Sequence, residues 1–163
     1  MKYTDVISRK VLSDDELTRQ VERWKLLNKK IVFTNGCFDI LHKGHLELLA
    51  RAAESGDILI VGINADSSVR RLKGDSRPVN DESFRATMLA SLIIVDAVVL
   101  FEEETPARLI SRIEPDVLVK GGDYAIEQIV GAEEVIKNGG EVKIIPFVKG
   151  YSTTSLIEKI QSL

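Results

Sequence analysis

Residues 31–50 read IVFTNGCFDILHKGHLELLA, an apolar run that leads through a polar loop into a helical pattern. The run at 31–34 predicts a buried strand, and the helix that starts near Gly44 carries its apolar residues at 48–53 and ends at 55–56. A strand that passes through a short loop into a helix is typical of a βαβ unit, in which the next strand runs parallel to the first. This segment therefore predicts an α/β fold built on a parallel sheet.

The rest of the chain repeats this alternation of strand and helix. Further apolar runs, separated by helical patterns, predict strands at 58–63, 97–101, 117–120 and 142–146. We expect a Rossmann-like, doubly wound sheet of five parallel strands in the order 3-2-1-4-5, with right-handed crossovers. The first and fourth strands are then neighbours, and a ligand crevice lies at their carboxyl ends, where the chain is richest in Gly, His and Asp.

The length of 163 residues suits one compact domain. We expect a single domain over residues 1–163, with a helical segment at 1–29 packed on it. In that segment Ser13 and Glu16 form a capping box that opens a helix.

Composition excludes several functional classes. The net charge of −3 gives no basic field that would draw the chain to nucleic acid or to an anionic membrane. The single cysteine excludes an intrachain disulfide and a multi-cysteine zinc site. No apolar run is long enough to span a bilayer, and residues 1–10 lack the apolar core of a signal peptide. We therefore expect a cytoplasmic protein with no nucleic-acid or membrane partner.

Both histidines of the chain lie in His42-Lys43-Gly44-His45. If the turn is helical, positions i and i+3 share one face, and a helix N-terminus offers free N–H groups to a phosphate. Gly44 removes a side chain where the backbone must approach a ligand. The pattern favours a polyphosphate site. A metal-binding pair is an alternative, although the motif offers no third ligand and we expect no direct side-chain ligation of metal. An ordinary surface or core histidine is another alternative.

The sequence around these histidines resembles a known family. Residues 34–45, TNGCFDILHKGH, resemble the HxGH signature of the cytidylyltransferase-like nucleotidyltransferases, including the Gly-x-Phe-Asp lead-in after a strand. Ser152-Thr153-Thr154 at the start of the last predicted helix resembles the second phosphate-binding element of that family. The resemblance implies transfer of a nucleotidyl group from a nucleoside triphosphate.

Three further segments resemble one branch of the family, the adenylyltransferase domain of bacterial heptose 1-phosphate kinase/adenylyltransferases. They are VRRLKGDSRPVN at 69–80, DVLVKGGDY at 116–124 and GYSTT at 150–154. Glycerol-3-phosphate cytidylyltransferases carry an arginine three residues before the glycine of the last motif, where this chain has Phe147. The resemblance implies transfer of AMP from ATP to heptose 1-phosphate, which gives ADP-heptose for lipopolysaccharide core synthesis and releases pyrophosphate.

The resemblance also implies roles for particular residues. It implies three catalytic residues, His42, Lys43 and His45. The ATP-binding residues would be Cys37, Phe38, Gly44, Asp123, Tyr151, Ser152, Thr153 and Thr154. The substrate-binding residues would be Asp39, Asp66, Lys73, Arg77, Arg85 and Lys120.

The expected chemistry needs no general base. A sugar phosphate is already largely ionised at neutral pH because its second pKa is about 6. The histidines are therefore expected to position the phosphates and to stabilise their charge, with Mg²⁺ bridging the phosphates.

Several of these residues have plainer interpretations. Asp39 would orient its loop through backbone amides, and Asp66 would only cap the following helix. Arg70, Arg71 and Lys73 would form a charged helix end. Arg85 would pair with Glu82 or Asp81 on its own helix, and Lys120 would be solvated.

Other functions stay open at this point. The same chemistry on glycerol phosphate or ethanolamine phosphate with CTP, or on FMN with ATP, is the nearest alternative, and a non-catalytic nucleotide sensor is another. An NAD(P) oxidoreductase lacks its Gly-x-Gly-x-x-Gly fingerprint after the first strand. The family resemblance implies a homodimer. Since 163 residues leave no room for a sugar kinase, a separate kinase is expected to supply the heptose 1-phosphate.

Overall fold

The computed structural model describes residues 2–148 and 150–163, which form six strands, eight α-helices and one short 3₁₀ turn. The strands are β1 (Val11–Leu12), β2 (Ile31–Gly36), β3 (Ile58–Asn64), β4 (Ala97–Phe101), β5 (Val117–Gly121) and β6 (Glu141–Ile145). The helices are α1 (Tyr3–Ser8), α2 (Asp14–Leu26), α3 (Lys43–Ala53), α4 (Asp66–Lys73), α5 (Glu82–Ala90), α6 (Ala107–Ile113), α7 (Ala132–Lys137) and α8 (Thr153–Gln161), with the 3₁₀ turn at Ile126–Gln128 before α7. Within the described ranges, no helix has the length and apolar character needed to cross a membrane.

All six strands pair in parallel in the order β1-β4-β3-β2-β5-β6. β2 lies between β3 and β5, with Val32 opposite Leu59 on one side and Val117 on the other. The direction of winding reverses between β2 and β5. The loops that leave the carboxyl ends of these two strands therefore open on one crevice.

The prediction of five strands in the order 3-2-1-4-5 is wrong, because a sixth strand extends the sheet. That strand is β1, whose residues Val11 and Leu12 pair with Val98 and Val99 of β4 at the sheet edge. Two residues are too few to show any periodicity, so no sequence pattern marked them. Residues 1–29 are consequently not purely helical, because they also supply an edge strand.

Apolar side chains cover both faces of the sheet. On one face α2, α6 and α7 pack on a cluster that includes Phe33 and Ile113, both fully buried. On the other face α3 and α5 pack on a cluster that includes Leu49 and Leu89. The capping box predicted at Ser13 and Glu16 is confirmed at the start of α2. Burial on both faces explains why the central strands read as continuous apolar runs.

Carboxylates just before β5 and β4 hold the starts of the neighbouring strands β2 and β3. Asp116 accepts a hydrogen bond at 2.7 Å from the N–H of Ile31, the first residue of β2. Asp96 in the same way accepts from the N–H of Leu59 in β3 at 2.8 Å. These bonds satisfy backbone donors that lie next to the buried core.

We expect Asp116→Ala to lower the free energy of unfolding by about 1–3 kcal/mol, because Ile31 is fully buried and its N–H would lose its partner. Urea denaturation followed by circular dichroism measures this loss. Asp116→Asn keeps a carbonyl acceptor and is expected to lose less. Equal stability of Asp116→Ala and the wild type would contradict the anchoring role of this carboxylate.

Candidate functional site

The loop after β2 ends at His42, which is the N-cap residue of α3. Its imidazole Nδ1 accepts a hydrogen bond of 3.4 Å from the N–H of His45. A neutral imidazole that accepts at Nδ1 carries its hydrogen on Nε2. The cap therefore orients the ring and leaves Nε2–H available to a ligand.

The i, i+3 spacing places both histidine rings on one face of α3. The rings of His42 and His45 stack with their centroids 3.8 Å apart and their planes 22° apart. The ring of Phe38 meets His45 edge-on at 5.1 Å. Nδ1 of His45 is buried, and no described residue forms a hydrogen bond with it. The two imidazoles thus form one packed unit at the carboxyl end of β2.

Burial keeps both imidazoles uncharged in the absence of a ligand. Desolvation lowers the pKa of His42 below its usual range. For His45, desolvation comes first and the charges of His42 and Lys73 add to it, which lowers the pKa to about 4. Both rings are therefore neutral at pH 7 and act as hydrogen-bond donors rather than as cations.

Two adjoining cavities meet at His45. The first, which we call the α8 cavity, has a volume of about 520 Å³ and lies between α3 and the start of α8. The second, the β2–β5 cavity, has a volume of about 630 Å³ and lies over the carboxyl ends of those strands. The residues common to both linings are His45, Leu48, Lys73, Gly121 and Phe147. Each cavity is large enough for a small ligand, and His45 and Lys73 stand where two ligands would meet.

Two helix N-termini line the α8 cavity. One belongs to α3 at His42 and Gly44, and the other belongs to α8 at Ser152 and Thr153. The hydroxyl of Thr153 donates to the carbonyl of Ile40 at 3.5 Å and joins the start of α8 to the loop after β2. Free N–H groups and the positive ends of both helices favour an anion between them.

Gly44 has a packing reason as well as the predicted one. A Cβ at this position would lie 3.1 Å from the imidazole of His42 and 3.7 Å from Tyr151. Only glycine lets the capping imidazole lie over the first turn of α3 without displacement.

The β2–β5 cavity contains a half-buried ammonium group. Nζ of Lys120 has one long hydrogen bond, to Oδ1 of Asn35 at 3.5 Å. Desolvation lowers the pKa of Lys120. A cation that is poorly hydrated and weakly paired gains most from an anionic ligand. With Lys73 in the same lining, the cavity favours a phosphate.

Asp39 and Arg77 hold a loop and line neither cavity. The buried carboxylate of Asp39 accepts from the N–H groups of Val79 and Asn80, both at 2.9 Å, and from Nε of Arg77 at 2.7 Å. Burial opposes ionisation, but the bonds from Asn80, Val79 and Arg77 outweigh it and keep the pKa of Asp39 below its usual range. From sequence, Asp39 is either a substrate-binding residue or a residue that orients its loop through backbone amides. Its observed contacts match the second interpretation.

Arg85 and Asp66 form an ion pair beneath the same loops, in which the arginine is buried and the aspartate is partly exposed. Nη2 of Arg85 donates to Oδ1 of Asp66 at 2.8 Å, and the arginine side chain is 0% exposed. Its acidic partner is therefore Asp66 and not Glu82 or Asp81. Glu82 instead accepts from the N–H of Asp66 at 2.7 Å.

A profile of the cytidylyltransferase-like family matches residues 33–159. This chain belongs to the cytidylyltransferase-like family. It is therefore a nucleotidyltransferase, as the sequence resemblance implied. The matched region contains both histidines, both cavities and the start of α8.

Similar proteins support the same family. The chain is 56% identical to the bifunctional protein HldE of Koribacter versatilis over 94% of its length, and 57% identical to that of Actinobacillus pleuropneumoniae over 93%. It spans about a third of the length of these curated relatives, 32% of each.

Solved structures agree in fold. A lipopolysaccharide core biosynthesis protein from Thermoplasma volcanium is 30% identical with a TM-score of 0.59, over 76% of this chain and 99% of that one. A pantoate-beta-alanine ligase from Francisella tularensis, complexed with an ATP analogue and beta-alanine, has a TM-score of 0.62 at 16% identity over 94% of this chain and 78% of that one. The second likeness concerns the fold alone.

The two cavities gather only part of the predicted residue set. The residues that line the two cavities are Cys37, Phe38, His42, Gly44, His45, Lys73, Lys120, Tyr151, Ser152, Thr153 and Thr154. The predicted residues outside both linings are Asp39, Lys43, Asp66, Arg77, Arg85 and Asp123. Lys43 is exposed with its Nζ 5.7 Å from the centre of the Tyr151 ring, and Asp123 is exposed beyond Gly122.

Sequence reasoning missed several cavity residues. Asn64 is the last residue of β3, Asn35 is the last but one of β2, and Tyr124 follows β5. Their positions at the carboxyl ends of parallel strands were the available signal. Within residues 2–148 and 150–163, no three His, Cys, Asp or Glu side chains gather closely enough to hold a metal ion.

The low pKa of His45 links stability to pH. Below pH 6.5 the unfolded chain takes up a proton at His45 that the folded chain accepts only near pH 4. We expect stability from this group to be complete above pH 6.5 and to fall by up to about 3 kcal/mol as the pH drops to 4.

Urea denaturation of the wild type and His45→Gln at several pH values between 4 and 7 measures this effect. Titration of the carboxylates changes the stability of both proteins, so this contribution cancels when the two are compared. The glutamine variant should lose less stability on acidification, and equal pH slopes would show that His45 titrates normally.

Proposed function

We propose that this protein transfers AMP from ATP to D-glycero-D-manno-heptose 1-phosphate, giving ADP-heptose and pyrophosphate. The observation that carries the proposal is the stacked pair His42 and His45 at the junction of two phosphate-favouring cavities. The branch resemblance of residues 69–80, 116–124 and 150–154 selects the sugar phosphate. The 30% identical Thermoplasma protein is described as a lipopolysaccharide core biosynthesis protein, which agrees with a role in lipopolysaccharide core synthesis.

ATP would occupy the α8 cavity. Its triphosphate would lie against the N-termini of α3 and α8, where backbone N–H groups and the hydroxyls of Ser152 and Thr153 are available. Tyr151 and Phe147 offer exposed aromatic surface to the nucleoside. Asp123, exposed beyond β5, would reach the ribose hydroxyls from the rim. Lys43 would neutralise phosphate charge at the mouth.

The sugar phosphate would occupy the β2–β5 cavity. Its phosphate would lie between Lys73 and Lys120, the two lysines of that lining. Because Lys73 and His45 belong to both cavities, this placement brings the acceptor oxygen toward the α-phosphate of ATP. Holding both reactants in line supplies much of the expected rate enhancement.

The reaction is a displacement at phosphorus. An oxygen of the sugar phosphate forms a bond to the α-phosphorus of ATP. The bond between the α-phosphorus and the oxygen that bridges it to the β-phosphorus breaks, and pyrophosphate leaves with that oxygen. Charge grows on the oxygens around the α-phosphorus and on the leaving group. Neutral imidazoles donate hydrogen bonds to these oxygens and stabilise them more as the charge grows. No side chain needs to remove a proton.

Among residues 2–148 and 150–163, no three His, Cys, Asp or Glu side chains form a cage for magnesium. Asp39, three residues before His42, already holds Arg77 and two backbone amides. A Mg²⁺ ion would therefore arrive with the phosphates of ATP, bound by their oxygens and by water. Its contribution would be neutralisation of phosphate charge.

Asp39, Asp66, Arg77 and Arg85 take indirect roles in this proposal. Their bonds fix the loops that follow β2 and α4, so they shape the substrate sites without touching substrate. We further infer that residues 1–163 act as one nucleotidyltransferase domain in the cytoplasm. We also propose that the domain forms a homodimer and that a sugar kinase activity supplies its substrate.

His42→Ala and His45→Ala should each lower kcat by about 10²–10³-fold, because each removes a donor to the transition state. Pyrophosphate release with ATP and heptose 1-phosphate measures kcat, and circular dichroism checks the fold. Arg51→Ala on the same helix is the matched control, since that side chain is exposed and bonded only to Glu47. Near-normal turnover in both histidine variants would exclude the proposed site.

Mass spectrometry of products tests the substrates. ATP and CTP are each supplied with heptose 1-phosphate, glycerol 3-phosphate, ethanolamine phosphate or FMN, and we expect ADP-heptose as the main product. CDP-glycerol, CDP-ethanolamine or FAD in its place would overturn the substrate assignment. Binding of ATP with no pyrophosphate release from any pair would indicate a nucleotide sensor.

A further inference from the structure

Arg85 joins three separate segments of the site. Its Nη1 donates to the carbonyl of Cys37 at 2.7 Å, and its Nε donates to the carbonyl of Asn80 at 3.0 Å. Its Nη2 donates to the carboxylate of Asp66 at 2.8 Å. The loop after β2, the loop before α5 and the start of α4 therefore share one guanidinium, which is completely buried.

The bond to Cys37 determines how the next peptide faces. The Cys37–Phe38 peptide is trans, so its carbonyl and its N–H point in opposite directions. With the carbonyl held toward Arg85, the N–H of Phe38 points away from the guanidinium. No acceptor for this N–H exists among the described residues, and both Cys37 and Phe38 line the β2–β5 cavity.

The backbone of Phe38 is itself in an unfavourable conformation. Its φ angle is +47°, a region that a bulky side chain rarely occupies. Such a conformation persists only where surrounding contacts impose it, and it is common at ligand sites. The ring of Phe38 also packs against His45, the histidine that lines both cavities.

We propose that Arg85 is a positioning residue, which aims the N–H of Phe38 at a phosphate oxygen of the bound nucleotide where the α8 cavity opens into the β2–β5 cavity. This proposal rests on the proposed function, and its new element is the role of Arg85. Arg85 acts through the peptide and touches no substrate. Its planar fork reaches three acceptors in three directions, which the single ammonium of lysine does not reproduce.

The acidic partner keeps the guanidinium in place. Asp66 compensates the buried charge, and its own N–H is held by Glu82 at the start of α5. A residue needed only for stability would leave the catalytic rate of the folded protein unchanged when replaced. A positioning residue would change that rate and the response of Phe38 to phosphate.

NMR spectroscopy measures the chemical shift of the Phe38 amide proton directly. The chain has five phenylalanines, so ¹⁵N-Phe labelling gives five backbone signals, and Phe38→Leu identifies the one from residue 38. We expect ATP and inorganic pyrophosphate to move the Phe38 amide proton of the wild type downfield. In Arg85→Lys the same ligands should move it much less. An unmoved Phe38 signal at saturating ATP, or a full response in Arg85→Lys, would overturn the proposal.

Kinetics provides the second readout. Arg85→Lys should lower kcat per folded molecule by about ten- to a hundredfold, with a small change in KM for the sugar phosphate. Asp66→Asn keeps an acceptor for Arg85 but removes the compensating charge, so it should lower kcat by only a few-fold, less than Arg85→Lys does. Unchanged kcat in folded Arg85→Lys would assign the residue to stability alone.

These outcomes are separable from failure of the proposed function. If the wild type never releases pyrophosphate, the function is wrong, yet the NMR titration with pyrophosphate still tests the peptide. If Arg85→Lys does not fold, the wild-type Phe38 response and the kcat of Asp66→Asn decide. A silent Phe38 signal then rejects the proposal, and a downfield shift with reduced kcat supports it.

Discussion

The pairing of β2 with β3 on one side and β5 on the other is the constraint on which the site depends. With parallel strands on both sides, residues 31–34 of β2 are buried, and the loops that leave the neighbouring strands open at the same edge. The loop after β2 then has cavities on two sides. His45 lines both of these cavities, and His42, stacked on it, lines the α8 cavity.

A second layer of bonds makes this loop rigid. Asp39, in the loop after β2, binds the loop before α5 through two backbone amides and Arg77. Arg85 donates to backbone carbonyls in both of these loops. A buried polar network lowers stability unless each of its polar groups has a hydrogen-bond partner, and nearly all groups in this network have one. They fix the geometry against which the neutral imidazoles act.

Much of the site could be predicted from sequence because local spacing determines it. His42 and His45 stack because i and i+3 share a helix face, and Ser152 begins α8 because a serine cap favours that start. The partners of Arg85 could not be predicted in this way. Cys37 is 48 residues away and Asp66 is 19 residues away, so only the folded chain brings them together. β1 was not predicted because a strand of two residues is too short to show a periodic pattern of apolar residues.

The outer wall of the β2–β5 cavity stands apart from this rigid frame. Tyr124, Gln128 and Val130 belong to the segment after β5, and Asp39 and Arg85 form no bond with any of them. Side chains there can change in size and polarity while the histidines and both helix N-termini keep their places. If the acceptor occupies this cavity as proposed, acceptor choice can diverge along one wall while the histidine pair keeps its geometry, and one chemistry can be adapted to many alcohol and sugar phosphates.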